Sequence, residues 1–222
     1  MYKKKTGYEL VLLDFLFVYP TKDLFMDLWP KYRNQILHHG IMEAKNKKKK
    51  ETADILSRVE ANDEDNNLEG VLALHALFFL LPNKNKMHKQ CLKKVIFEGP
   101  PGEKVDSIIA ELAHQNGSFS PVIIYYCNED KIPIVFHVCV NGLSYEVKYL
   151  TTALDIFFKL HFIFDLSYMG EGVNFLTFIQ HFFFNIHLQN DLRSSNIMNL
   201  MIKIDESLAN KFSKRILEKD FD

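Results

Sequence analysis

The chain has 222 residues, 47% hydrophobic, 25% charged and 13% aromatic, with a formal net charge of -1. That composition excludes a wholly disordered chain, and the near-neutral balance gives no global field to draw in nucleic acid or acidic ligands. Three cysteines, Cys91, Cys127 and Cys139, form no CxxC pair and no disulfide framework, so a reducing, intracellular setting, cytoplasmic or nuclear, is expected.

Lys3, Lys4 and Lys5 followed by LVLLDFLFV imitate the basic and apolar regions of a signal peptide. Asp14 interrupts the apolar run and no small-x-small pattern precedes Pro20, which argues against that reading. No apolar run reaches about 18 uncharged residues, because Asp14, Lys159 and Asp165 break the longest; no membrane span is expected. Tyr8 to Val18 reads as a helix or a buried strand, ended by Pro20. Thr21 is placed to cap a helix from Lys22 to about Ala44, with Leu24, Phe25, Leu28, Tyr32, Ile36 and Leu37 mostly at three- and four-residue steps. Pro30 inside this span predicts a kink near Trp29 or a break into two helices.

KNKKKK from Lys45 to Lys50 and EANDEDNN from Glu60 to Asn67 are adjacent blocks of opposite sign, the mark of a solvated connection with one helical turn around Ile55, Leu56 and Val59. Asn67 is placed to cap a helix over Leu68 to Leu81 that is apolar almost all round. Beyond Lys93 the pattern changes. Val95 to Phe97 is a short strand before the GPPG turn, and Val105 to His114 is an amphipathic helix through Val105, Ile108, Ile109 and Leu112. PVIIYYC and IPIVFHVCV, separated by NEDK, predict a hairpin; Asn141-Gly142 predicts a second turn into LSYEVKYL.

The stretch from Thr151 to Leu188 carries aromatic residues at helical spacing on either side of a Gly-containing break. Leu154, Phe157, Phe158, His161 and Phe162 mark its first helix; Phe175, Phe178, Ile179, Phe182, Phe183 and Ile186 mark the second, with Asn174 as cap. The pair is expected to be the hydrophobic anchor of the fold. Ile197, Leu200, Met201 and Ile204 predict one more amphipathic helix. The fold class is α+β, mostly helical, with a small central antiparallel β-meander, helices on one face of it and a C-terminal aromatic helical hairpin. The expected organisation is an N-terminal helical segment over 1–44, a charged flexible linker over 45–67, an α+β core domain over 68–188, and a C-terminal helix and tail over 189–222.

VIFEGPPGEKVDS resembles the start of the phosphate-cradling loop of AAA-type ATPases, Gly-x-x-x-x-Gly-Lys followed by Ser or Thr. The second motif Gly is missing, Glu103 would repel phosphate and Val105 stands where the magnesium-binding hydroxyl belongs; a rigid turn before a helix is the favoured reading. Nine histidines show no ligand spacing, although His161 and His181, on the two aromatic helices, stand where they could meet. Cys127 and Cys139 lie on strands without an elbow motif, and Asp155 and Asp165 are ten apart, too far for a paired-carboxylate site; buried thiols and surface carboxylates are expected. No catalytic, cofactor-binding or metal-binding residue is therefore assigned, and no cofactor or small-molecule substrate is expected. The lysines remain: Lys45, Lys47, Lys48, Lys49 and Lys50, with Lys84, Lys86 and Lys89, and beyond them Lys93 and Lys94, are candidates for nucleic-acid contact or nuclear import.

Pro121 to Ile186 contains a strand pair, Ala-Leu-Asp-x-x-Phe-Lys-x-x-Phe-x-Phe-Asp from Ala153, a Tyr at 168 and Phe-x-x-Phe-Ile-Gln-x-x-Phe from Phe175. This run is similar to the C-terminal part of uncharacterised multicopy animal proteins that resemble domesticated or mobile-element-associated genes, a likeness over roughly half to two-thirds of the chain. The resemblance implies a shared fold and carries over no catalytic residue. The expected role is a non-enzymatic interaction or scaffolding module, binding a protein partner or a second copy of itself. Nucleic-acid binding through the lysines is the alternative, and an enzyme with a degenerate phosphate loop the less favoured one.

Overall fold

A computed structural model describes residues 7–22, 24–50, 52, 66–81, 92–116, 120–168, 170, 172–188 and 194–207. The helices are α1 (Gly7–Val18), α2 (Phe25–Asn46), α3 (Asn66–Leu80), α4 (Val105–Asn116), α5 (Leu150–Ile163), α6 (Val173–Phe182) and α7 (Ser195–Ile204). The strands are β1 (Ile96–Glu98), β2 (Val122–Cys127), β3 (Pro133–Val140) and β4 (Leu143–Val147). The class is α+β, as the periodicities predict.

β2, β3 and β4 form the expected antiparallel meander. Asn141 and Gly142 take the two positive φ values, 48° and 75°, that a two-residue hairpin turn needs, and Val140 faces Leu143. The sheet is nevertheless four-stranded and mixed, because β1 pairs parallel to β2, with Ile96 opposite Ile123. Parallel neighbours need a crossover, and α4 supplies it. The expectation of helices on one face is therefore corrected. Strand residues alternate between faces: Ile123, Phe136, Val138 and Val140 enter the main core, while Ile124 and Cys139 pack with Ile108 of α4. At the β1–α4 turn Gly99 donates to the Tyr125 carbonyl (2.8 Å), and a Cβ there would sit 2.6 Å from the Tyr126 ring. Glycine is required by that close approach.

The main core draws buried residues from α1, α2, α3, α5, α6 and α7 together. α5 packs against α1, α2, α3 and the sheet, and α6 packs against α7. Phe183 and Phe184 lie just past α6 and are fully buried, with Phe25 and Trp29 of α2 beside Phe183. Phe182 meets Tyr32, whose hydroxyl donates to Asp205 (2.7 Å) after α7.

The expected caps are not the ones observed, and one of them serves a distant helix. α2 begins at Phe25 with Leu24 at its N-cap and no capping side chain, so Thr21 does not serve. Pro30 stays inside one continuous helix, held by burial of Phe25, Trp29, Tyr32, Ile36 and Leu37 along it. Gly172, not Asn174, is the N-cap of α6. Asn67 lies inside α3, where its Nδ2 donates to the carbonyls of Pro133 (3.2 Å) and Lys148 (3.1 Å) and its Oδ1 accepts from Leu150 N–H (3.0 Å). It thereby satisfies an otherwise unpaired donor at the start of α5, acting as that helix's cap from 83 residues away. The linker's helical turn around Ile55, Leu56 and Val59, Cys91, and residues 208–222 lie outside the described residues.

Candidate functional site

The GPPGEK segment forms a turn tied to the sheet. Glu103 N–H donates to the Pro100 carbonyl (3.2 Å), and the Tyr126 hydroxyl donates to the Glu103 carbonyl (3.0 Å). Lys104 is exposed at the start of α4. His161 is buried on α5, across the sheet from α4, so the two do not converge.

Lys45, Lys47, Lys48, Lys49 and Lys50 are all exposed at the C-terminal end of α2. Cations there face the last carbonyls of the helix, the negative end of its dipole, which is a stabilising position and one that repels phosphate. Lys47 also meets Glu43 at 2.9 Å, and that hydrogen bond holds the Glu43 carboxyl below its usual range. Lys84, Lys86 and Lys89 lie outside the described residues; Lys93 and Lys94 are exposed.

One carboxylate that sequence reasoning placed at the surface is core, and other polar side chains are buried with it. Asp155 and Lys159, one helical turn apart on α5, form an ion pair of 2.7 Å with both side chains at 0% exposure. The Lys159 ammonium lies 5.3 Å from the centre of the Phe15 ring of α1, an attraction of cation to π face. Asp155 is thus a buried carboxylate, contrary to expectation. Gln180 is buried on α6, accepts the Tyr168 hydroxyl (2.6 Å) and donates to the Ile186 carbonyl (3.2 Å), which folds the segment after α6 back onto it.

His161 donates from Nδ1 to the Phe157 carbonyl (2.9 Å) and packs on the rings of Phe157 and Tyr168, whereas His181 packs on His187 with ring centres 4.6 Å apart. Burial pushes the His161 pKa down to about 4. In an unfolded chain the ring titrates near about 6.5. Between those values the unfolded state holds a proton that the folded state refuses, so stability falls as pH drops from about 6.5 to about 4. The expected loss from this residue is about 3 kcal/mol. Urea denaturation at neutral and acid pH should show it, and His161→Asn, which keeps an amide donor without titrating, should flatten the dependence. An unchanged pH slope in that variant would remove His161 as the cause.

On the sheet face under α4, cross-strand pairing brings a hydroxyl, an imidazole, a thiol and a carboxylate into one row. His137 Nδ1 lies 3.3 Å from Ser144 Oγ, His137 Nε2 lies 3.9 Å from Glu146, and Cys139 Sγ lies 3.9 Å from Ser144 Oγ. The register opposes His137 to Glu146 and Cys139 to Ser144, so alternation counted back from Asn141-Gly142 would have revealed the group. Its physics is that of a pleated surface. The Glu146 contact exceeds hydrogen-bond length, burial lowers the His137 pKa against the pull of Glu146 and Asp106, and burial pushes the Cys139 thiol up to about 11, where it stays protonated. Among the described residues no group of three or more His, Cys, Asp or Glu could hold a metal ion, and no helix is long and apolar enough to cross a membrane.

What remains is apolar surface on α1. Val11 and Phe15 bury the inner side of this helix, and Leu10, Leu13, Phe17 and Val18 stand exposed on the outer side, Phe17 at 90%. Leu10, Leu13 and Phe17 follow i, i+3, i+7 and so form one stripe. The sequence reading missed this face because it left Tyr8 to Val18 as helix or strand, and only helical spacing sets the exposed Glu9 and Asp14 away from the side of Val11 and Phe15. No family model, no curated protein and no solved structure matches the chain.

Proposed function

We propose that the chain is a non-enzymatic interaction module whose working surface is the outer face of α1. One observation carries this reading: four large apolar side chains on that helix meet water, while of the phenylalanines whose exposure is described only Phe17 and Phe164 are exposed. The aromatic excess of the composition goes into the core and argues for no partner by itself. An exposed apolar stripe such as Leu10, Leu13 and Phe17 is the usual sign of a docking site, and the exposed Asp14 stands between it and Val18. An intracellular setting is part of the proposal, supported by the free thiols of Cys127 and Cys139. Kinship with mobile-element-associated animal proteins stays a proposal about fold: of the matching positions, Leu154, Asp155, Phe158, Lys159, Phe178, Gln180 and Phe183 are buried, whereas Phe164 and Asp165 are exposed.

The test is binding of anilinonaphthalene sulfonate, a dye that fluoresces on apolar surface, to the native chain. Wild type is expected to bind it, and Leu13→Glu/Phe17→Glu to lose at least about half the signal with an unchanged melting curve, because both side chains lie outside the core. A wild type that leaves the dye dark, or a variant as bright as wild type, sinks the reading.

A further inference from the structure

We propose that β4, a surface separate from the outer face of α1, is a docking edge for a second copy of this chain. The two β4 strands would pair antiparallel about Tyr145 and join two four-stranded sheets into one of eight. β4 ends the strand order β1-β2-β3-β4. Among the described residues, no backbone group of Leu143–Val147 bonds outside the β3–β4 ladder. Leu143, Ser144 and Glu146 are exposed, and Tyr145 and Val147 are half-buried.

Free sheet edges are commonly blunted by shortness, proline, an inward charge or a bulge. The β1 edge has the first two, being three residues long and running into Gly99-Pro100-Pro101. β4 lacks them. It has five residues without proline and keeps an unbroken register against β3, from Val140 opposite Leu143 to Phe136 opposite Val147. Its single charge, Glu146, is exposed on the face under α4 beside His137 and does not point into the core.

Val140 and Leu143 close the two-residue turn as a hydrogen-bonded pair, and bonded and non-bonded pairs alternate along an antiparallel ladder. Leu143, Tyr145 and Val147 therefore turn their N–H and C=O groups toward β3, while Ser144 and Glu146 turn theirs outward. Pairing about Tyr145 sets each Ser144 against the other copy's Glu146, and the outward groups of these two residues complete the ladder. The side chains match in the same register. Leu143 meets Val147 on the core side, the two Tyr145 rings face each other, and each Glu146 carboxylate lies beside a Ser144 hydroxyl that can donate to it. An axis at Glu146 would oppose two carboxylates, and one at Ser144 would set Glu146 against Gly142 and shorten the pairing. LSYEV thus reads apolar, hydroxyl, aromatic, carboxylate, apolar about its own centre, as a contact between identical surfaces requires, residue i meeting j and j meeting i. That self-complementarity selects a second copy over an unrelated extended segment.

One paired strand makes a small interface, at the weak end of protein association, so sedimentation velocity of the full chain from about 10 to about 300 µM should show a reversible dimer. Ser144→Glu puts a carboxylate directly opposite Glu146 of the other copy and should weaken the dimer about threefold or more; Ser144→Lys puts an ammonium there and should strengthen it by a similar factor. Ser144 is exposed, so both variants should melt near wild type. Amide exchange at Ser144 and Glu146 should slow as concentration rises, while Tyr145, already bonded to β3, stays unchanged. A monomer throughout that range overturns the proposal, as does a dimer that Ser144→Glu leaves intact. Weakening by both Ser144 variants would move the axis to Ser144 and overturn the pairing about Tyr145. A dimer lost in Leu13→Glu/Phe17→Glu but kept in Ser144→Glu would assign self-association to α1 and overturn the edge alone, the docking reading of α1 being tested separately by the dye.

Discussion

Lys159→Met is expected to lower folding stability by about 3 to 5 kcal/mol, read as a shift in the urea midpoint at constant slope. The substitution keeps the aliphatic stem and the packing volume but removes the ammonium 2.7 Å from Asp155 Oδ2, in a site where neither side chain touches solvent. An ionised carboxylate left there loses its counter-charge and cannot recover hydration. Asp155→Leu strands the ammonium in the same way, beneath the ring of Phe15. The double change Asp155→Leu/Lys159→Met removes both charges, and desolvation no longer has to be offset; stability near or up to about 4 kcal/mol above wild type is expected. The large positive coupling in that cycle is the signature of mutual dependence. Single variants costing under about 1 kcal/mol, or additive effects, would show that the pair reaches water.

The same pair marks where the sequence stops being legible. Asp155 and Lys159, acid one turn before base, look like the ion pair of a solvated helix face, and spacing alone cannot say that α1 covers them. Elements whose cause is local were readable. The helix over Val105, Ile108, Ile109 and Leu112, the hairpin at Asn141-Gly142, and the α7 stripe of Ile197, Leu200, Met201 and Ile204 all appear where periodicity and turn chemistry put them. Features that depend on distant partners were hidden. Asn67 looks like a cap for its own helix and instead serves Leu150, and β1 gains its place only by pairing parallel to β2 across α4. The outer face of α1 belongs to the same class, since exposure is a statement about absent neighbours.

Phe184→Ala is expected to cost about 3 to 5 kcal/mol, the sum of lost transfer energy and the cavity left behind. Its ring lies outside α6 in sequence yet at the meeting point of three other helices. It stacks on Phe158 of α5 at 4.1 Å and 16°, lies nearly parallel to Phe25 of α2 at 5.6 Å, and meets Phe15 of α1 edge-on at 5.5 Å. Phe164→Ala, by contrast, removes a ring that is already half in water, and should stay within about 0.5 kcal/mol of wild type. Phe184→Leu refills most of the volume and should recover more than half of the loss. Because Val11 and Phe15 are the buried side chains of α1 among its described ones, the cavity should loosen α1 before α3, which buries Val71, Leu72, Ala73, Leu74, Ala76, Leu77 and Phe78. Amide hydrogen exchange in Phe184→Ala should therefore show α1 losing protection first. Equal costs for Phe184→Ala and Phe164→Ala would mean that residues 183–186 do not fold back into the core, and the aromatic pair would then stand as a hairpin closed on itself. Selective opening of α1 would instead establish that its attachment, and with it the cover over Lys159, depends on a ring supplied from beyond the end of α6.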